Sequence, residues 1–288
     1  MVARSAWVLN LDADLELARG PGWAPSASVV RAAATFAERL RGSLVGEGDV
    51  VVDAKTPDGA ATGRVGRAFC PTPRAIALLR RVGAEPEAHP SADVLRRVAS
   101  RAFSSSLGAT MPKAAFVTRV DEARAMLRGD PAPGTGWRVK RAFGMAGRGH
   151  RVVDASPRDA DVAFLASWID EAGAQIEPNV RVLEEYAMHG RVSAAGRVEL
   201  GALTRQRTDA SGAWIATELA ADAPPDVNDA IARETARAGR ALHEAGYFGP
   251  FGVDAFTYER GGAVVLRARS EINARYSMGF AVGFGGAG

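Results

Sequence analysis

Three polar residues near the carboxyl end are spaced two apart: Glu271, Asn273 and Arg275, in Arg267-Ala-Arg-Ser-Glu271-Ile-Asn273-Ala-Arg275. On an extended strand that spacing puts all three on one face, with Ile272 and Ala274 on the other. Gly252-Val-Asp254-Ala-Phe256 and a Gly261-Gly262 pair come just before. The whole stretch therefore reads as an antiparallel hairpin with Asp254 on the neighbouring strand. Carboxylates, an amide oxygen and a guanidinium lined up this way would be costly in a core. They suit a hard divalent cation bound through oxygen, with a phosphate beside it. The chemistry this points to is magnesium meeting a nucleoside triphosphate. A solvated strand face with an internal Glu–Arg pair is the plainer alternative.

A second candidate is Val139-Lys140-Arg-Ala-Phe-Gly144-Met-Ala-Gly147-Arg-Gly149-His150. Glycines let backbone N–H groups approach phosphate oxygens with no Cβ in the way. No Gly-Lys-Ser/Thr follows, so this is not a P-loop, and a strand rather than a helix comes next, so it is not a dinucleotide fingerprint. Strand, glycine loop, strand is a flap able to close over a nucleotide, and Lys140 would meet its phosphates as a point charge. A flexible hairpin with a surface lysine has the same local pattern. Lysine is scarce, with only Lys55, Lys113 and Lys140 in the chain, which marks Lys140 out.

A third is Val182-Leu-Glu184-Glu185-Tyr186-Ala187. A strand entering a turn with adjacent carboxylates offers backbone groups to a base edge and a carboxylate to ribose hydroxyls. Alone, such a run more often means a strand facing solvent. Asp12, Arg205, Gln206 and Arg207 are candidates for an acceptor pocket, and surface strands explain them equally well. His89, His150, His189 and His243 lack metal-ligand spacing, so no zinc site is expected. No serine elbow or Ser/His/Asp order suggests a hydrolase.

The elements that must hold these residues alternate. A buried strand at Ala6–Leu11 precedes a helix over 28–44, a strand over 49–53 and a helix over 72–82 closed by Gly83, with a loop from Gly83 to Pro90. Ser91 caps one helix running through Arg101 to Leu107. A strand over 114–117 leads to a Thr118-Arg-Val-Asp121 capping box and a helix ending at Gly129. Strands over 137–142 and 150–154 flank the glycine loop, and Ser156-Pro157 opens a helix to Ala172. A strand over 181–186, antiparallel sheet over 191–218 with turns at Ala195-Gly196 and Ser211-Gly212, and a helix over 225–245 precede the hairpin.

The chain has 288 residues, 47% apolar and 24% charged, with net charge +3 and pI about 9.3. That is ordinary globular composition with room for two or three packed units. The arginines are scattered, with no like-charge run and no aromatic-interleaved basic motif. Nucleic acid is therefore not an expected partner, although an arginine-drawn nucleic-acid binder is one alternative class. No signal-like start and no apolar run of about 18 residues is present, so neither a membrane span nor export is expected. The single cysteine, Cys70, reads as a passive small hydrophobe and fits a reducing cytoplasm.

In chain order, the lysine with its glycine flap, the Glu-Glu-Tyr run and Asp…Glu-x-Asn-x-Arg resemble the ATP-grasp superfamily, the ATP-dependent carboxylate–amine ligases. The resemblance spans roughly residues 91 to 288. It implies an α/β (α+β) fold in which two α+β subdomains clasp ATP behind a small α/β preATP-grasp domain. The segments would be 1–90 (preATP-grasp), 91–180 (small subdomain with the flap) and 181–288 (C-terminal subdomain with the metal site). It implies ATP and Mg2+, an acyl phosphate, and small-molecule carboxylate and amine substrates. Lys140 would contact phosphate, with Gly144, Gly147 and Gly149 in the flap. Arg101 stands where the family often has an earlier phosphate-contacting lysine. Glu184, Glu185, Tyr186 and Ala187 match the adenine and ribose hinge. Glu271 and Asn273 match the magnesium ligands, and Arg275 the arginine that meets the transferred phosphoryl group. Asp254, as a third ligand, lies 17 residues before Glu271, a wider gap than expected for the paired acid. The chain stops soon after Gly279, so acceptor-pocket elements of longer members would be missing, or come from the N-terminal unit or a homodimer partner. An ATP-binding protein of the same fold without ligase turnover is the other reading.

Overall fold

The computed structural model describes residues 4–20, 22–145, 148–208 and 214–285, apart from the side chains of 145, 148 and 159. Among these residues the chain forms three sheets. β1 (Ser5–Val8) is followed by α1 (Ala13–Arg19) and α2 (Ala27–Leu44), then β2 (Val50–Val51), β3 (Val65–Ala68), α3 (Pro73–Arg81) and β4 (Glu85–Pro86). The strands pair in parallel in the order β2-β1-β3-β4. Parallel neighbours need crossovers, which the helices provide. Ser26 and Thr72 cap α2 and α3 by accepting from Val29 N and Ala75 N. The strand expected over 49–53 shrinks to two residues. Asp49 instead turns its carboxylate back to accept from Ser5 N at 2.6 Å and Trp7 Nε1 at 3.0 Å. The loop expected from Gly83 to Pro90 contains β4. Cys70 is fully buried, burial pushes its thiol far up, and it packs as an apolar side chain.

α4 (Ala92–Ala99) and α5 (Arg101–Ser106) replace the single helix expected here. The break is at Ser100, whose backbone is extended (φ −75, ψ 141) and whose hydroxyl accepts from Ala102 N. A serine caps a new helix as readily as it continues an old one. The second sheet is antiparallel. It contains β5 (Ala115–Val117), β6 (Gly136–Met145), β7 (Arg148–Asp154) and β8 (Ala174–Pro178) in the order β5-β8-β6-β7, with α6 (Val120–Leu127) and α7 (Asp159–Ala172) against it. Trp137, Val139, Leu165 and Ile176 fill that core. The expected capping box at Thr118 does not form: Arg119 holds the N-cap position and its guanidinium takes the Asp121 carboxylate at 2.7 and 3.0 Å. α7 starts after Arg158 rather than at Ser156-Pro157, because Asp161 accepts from Arg158 N.

β9 (Val182–Val192), β10 (Val198–Thr208) and β11 (Trp214–Leu219) lead through α8 (Pro225–Glu244) to β12 (Gly249–Arg260) and β13 (Ala263–Asn273). They form an antiparallel sheet in the order β11-β10-β9-β12-β13, with the short α9 (Phe280–Phe284) after it. Gly261 (φ 57) and Gly262 (φ 80) form the two-residue turn of the last hairpin, a turn that needs positive φ at both central positions. The expected turn at Ser211-Gly212 lies outside the described residues. One apolar cluster joins the sheets: Leu17 of α1, Leu95 and Val98 of α4, Phe143 of β6, Phe251 and Val253 of β12 and Ile272 of β13.

Candidate active site

The last hairpin delivers its polar residues by register. Asp254 lies directly opposite Glu271, and Gly252 opposite Asn273. The 17-residue gap is therefore the length of the hairpin around its turn, and the two carboxylates are cross-strand neighbours. Ile272 and Ala274 face the core as the alternation requires. Asn273 Nδ2 donates to Asp254 Oδ2 at 2.9 Å and Gln206 Nε2 donates to Oδ1 at 3.1 Å. Burial and the neighbouring Glu271 charge push the Asp254 carboxyl up to about 6.

Glu271 meets a different fate. Arg101, the first residue of α5, donates from Nη2 to both Glu271 oxygens at 2.8 Å, and its Nη1 reaches Arg141 O at 2.6 Å. Burial raises the Glu271 carboxyl, but Arg101 and Lys140 together outweigh it and hold the group below its usual range. The break at Ser100 is what aims Arg101 at this carboxylate.

Lys140 on β6 places Nζ 2.8 Å from Glu177 Oε1 on β8, and Arg267 Nη1 lies 2.8 Å from Glu177 Oε2. Glu177 and Arg267 are each 3% exposed. Burial would raise the Glu177 carboxyl, but the two cations hold it down at about 2. Burial lowers the Lys140 ammonium, with Glu177 opposing. Arg275 follows the end of β13 and donates to Asp14 of α1, from Nη2 at 2.7 Å and Nε at 3.3 Å, with its plane 5.3 Å from the Phe69 ring centre. Burial opposes its charge and Asp14 restores it, leaving the guanidinium more firmly protonated than usual.

These groups line one cavity of about 640 Å³. Of the sequence-predicted residues it brings together Arg101, Lys140, Gly144, Glu185, Tyr186, Asp254, Glu271, Asn273 and Arg275. Its lining is mixed: Val152, Pro178, Val180, Val182 and Phe256 contribute apolar surface beside the charged groups. Two carboxylates with an amide beside them are a hard donor set that could hold a divalent ion, and the direct partners of Asp254 are the neutral amides of Asn273 and Gln206. Among the described residues no group of three His, Cys, Asp or Glu is placed to hold a metal.

No protein-family model matches the chain, and neither does any curated protein. Solved structures do. N5-carboxyaminoimidazole synthetase from Staphylococcus aureus, complexed with ADP, aligns over 96% of this chain and 71% of its own, with TM-score 0.53 and 14% identity. N5-carboxyaminoimidazole ribonucleotide synthetase from Thermus thermophilus aligns over 94% and 71%, with TM-score 0.51 and 17% identity. Biotin carboxylase from Campylobacter jejuni, a β-γ-ATP complex, aligns over 97% and 67%, with TM-score 0.58 and 13% identity. The chain has the ATP-grasp fold. At these identities the likeness speaks for the fold alone.

Within the ATP-grasp frame, the expected hinge differs from a strand entering a turn. β9 runs on to Val192 and pairs with β10 on one side and β12 on the other, so the backbone of residues 185–187 is spent in ladders. Glu184 is exposed and pairs with Arg205 at 2.9 Å, outside the cavity lining. Ala187 is fully buried and its carbonyl accepts from Thr204 Oγ1. Burial raises the Glu185 carboxyl, which does line the cavity. Gly149 sits at φ 85 near the tip of the β6–β7 hairpin and is not part of the lining, and Gly147 lies outside the described residues. Of the acceptor candidates, Gln206 lines the cavity, Arg207 is exposed, and Asp12 pairs with Arg74 at 2.5 Å. Glu177, Arg138 and Asp14 were not singled out for the site. Ala174-Gln-Ile-Glu-Pro178 alternates apolar and polar, and that period-two run was the available signal for β8 and Glu177.

Proposed function

We propose that the chain is an ATP-dependent carboxylate–amine ligase working through an acyl phosphate and releasing ADP and phosphate. The observation that carries this is the meeting of Lys140, the Asp254–Glu271–Asn273 donor set and Arg275 in one cavity. On this reading segments 1–90, 91–180 and 181–288 are the preATP-grasp, flap-bearing and metal-bearing parts. The adenine lies against the apolar surface at Val180, Val182 and Tyr186, and the phosphates lie by Arg101 and Lys140. Mg2+ held by Asp254, Glu271 and Asn273 supplies charge neutralisation when bound. A substrate carboxylate oxygen attacks the γ-phosphorus and the bond to ADP breaks. An amine then attacks the acyl carbon, phosphate leaves, and the nitrogen loses a proton. Arg275 orients the carboxylate, and the hairpin carrying Gly144 and Gly149 closes to exclude water from the acyl phosphate. Substrates are small molecules, with no nucleic acid or membrane partner, in the cytoplasm. No helix among the described residues is long and apolar enough to cross a membrane.

One observation favours the second reading, an ATP binder without turnover: Arg101 already holds both oxygens of Glu271. ADP release that requires both a carboxylate and an amine separates the two. Glu271→Gln is expected to cut that release about 10²–10³-fold while the protein stays folded, the scale of losing one charge-stabilising group. Undiminished activity in the variant would remove the metal assignment.

A further inference from the structure

The cavity lining holds a second apolar group of residues that the nucleotide does not explain. Leu11, Phe36, Phe69, Trp214 and Met278 form it, and they come from five separate segments of the chain. Four of them, Leu11, Phe36, Phe69 and Met278, belong to one packed cluster built on the first sheet, α2 and the residues after β13. Trp214 of β11 is linked to this cluster through Arg39. The Arg39 guanidinium lies 5.7 Å from the Phe36 ring centre and 6.0 Å from that of Trp214, and it donates to Trp214 O at 3.1 Å. The apolar surface of Val180, Val182 and Phe256 belongs to other segments.

Arg275 and Ser277 offer polar groups beside these residues. Arg275 stands over Phe69. Asp14 and the Tyr276 carbonyl take three of the five N–H donors that a guanidinium carries, which leaves two. Ser277 also lines the cavity, and its Oγ is buried with no hydrogen-bond partner among the described residues. A buried hydroxyl left unpaired is costly, and a ligand oxygen or nitrogen relieves that cost.

We infer that the carboxylate substrate has an apolar body, ring-sized or branched, seated among Phe36, Phe69 and Trp214, with its carboxylate on Arg275 and a hydrogen bond to Ser277. This rests on the ligase reading for the chemistry and on the lining residues for the body. A one-carbon acid such as bicarbonate leaves those rings unfilled, and glycine or aspartate offers them no apolar side chain.

The test separates the pocket from the turnover. Binding of phenylalanine, leucine and benzoate to the full chain holding ADP and Mg2+ is measured by calorimetry beside glycine, aspartate and bicarbonate. The apolar acids are expected to bind at least about tenfold more tightly, the discrimination that even one methylene gives in an apolar pocket. Phe36→Ala and Trp214→Ala are expected to erase that preference while ADP affinity stays within about twofold. Equal or tighter binding of bicarbonate or aspartate, or a preference that survives both variants, overturns the inference. ADP release is then assayed with the same acids and ammonium. Tight apolar binding with no release by any acid sinks the ligase reading and leaves the pocket assignment standing.

Discussion

Glu177→Gln gives the sharpest test of how the cavity is held. Glu177 is 3% exposed and lies 2.8 Å from both the Lys140 ammonium and the Arg267 guanidinium. A glutamine keeps the shape but offers one acceptor to two cations and turns its own N–H groups toward the other. Removing one partner from a buried ion pair costs about 3–5 kcal/mol. The same two cations hold the carboxyl at about 2 against an ordinary 4.5, which at 1.36 kcal/mol per unit is of the same order. The sign follows from linkage. A depressed carboxylate stabilises fully above its unfolded value and loses that stability as pH falls through its folded value. The window is therefore about 4.5 down to 2, and about 2 kcal/mol of the advantage is gone by pH 3. Urea unfolding followed by tryptophan fluorescence reads this directly, since Trp137 is 2% exposed on the same strand as Lys140. The variant is expected to be about 3–5 kcal/mol weaker at pH 7, with its Tm lower by roughly 6–10 °C. The gap should narrow as pH falls from 5 to 3. A variant within about 1 kcal/mol of the parent at pH 7, or a gap that ignores pH, refutes the reasoning.

Two further outcomes follow from other buried groups. His189 is 1% exposed with Nδ1 unpartnered, and burial pushes it down to about 4. The unfolded chain takes the proton first, so its contribution is present above about 6.5 and lost toward pH 4; His189→Leu should remove about 2–3 kcal/mol of acid sensitivity between pH 7.5 and 4.5, and an unchanged slope in urea titrations would contradict this. Arg101→Ala leaves the partly buried Glu271 without its guanidinium and should lower stability, with ATP affinity at least about tenfold weaker. Arg101→Lys keeps the charge and should stay within about threefold for ATP by calorimetry, so an alanine variant matching the parent would remove Arg101 from the site.

Much of the site was legible because its signals are local. The Gly261-Gly262 turn and the two-residue alternation around it fix which side chains of β12 and β13 share a face, and the structure puts Asp254, Glu271 and Asn273 together accordingly. What was not legible depends on contacts far apart in sequence. Glu177 matters only because β8 inserts between β5 and β6, and sheet order is not written in any five-residue run. Ser100 inside an apolar-periodic stretch reads as helix. The break there goes with the Arg101–Glu271 contact, 170 residues away in the chain. The Glu184-Glu185 run signalled a strand correctly, but not that β9 would be central and paired on both edges, which takes its backbone out of play as a free hinge.

The scarcity of lysine then has a structural meaning. Three arginines in and beside the cavity are each pinned by several contacts. Arg101 has both oxygens of Glu271 and the Arg141 carbonyl; Arg275 has Asp14 twice and the Tyr276 carbonyl; Arg269 has Glu234, Ser104 and Gly108. A planar fork held at three points cannot swing without breaking all of them. Lys140 is held by an ion pair to Glu177 through its ammonium, a point charge on a long aliphatic stem. On the ligase reading, an arriving phosphate can draw that ammonium away. Glu177 still keeps Arg267 at 2.8 Å, so the exchange leaves no buried carboxylate without a cation. The paired cations on Glu177 thus let the single lysine move while the arginine scaffold stays fixed.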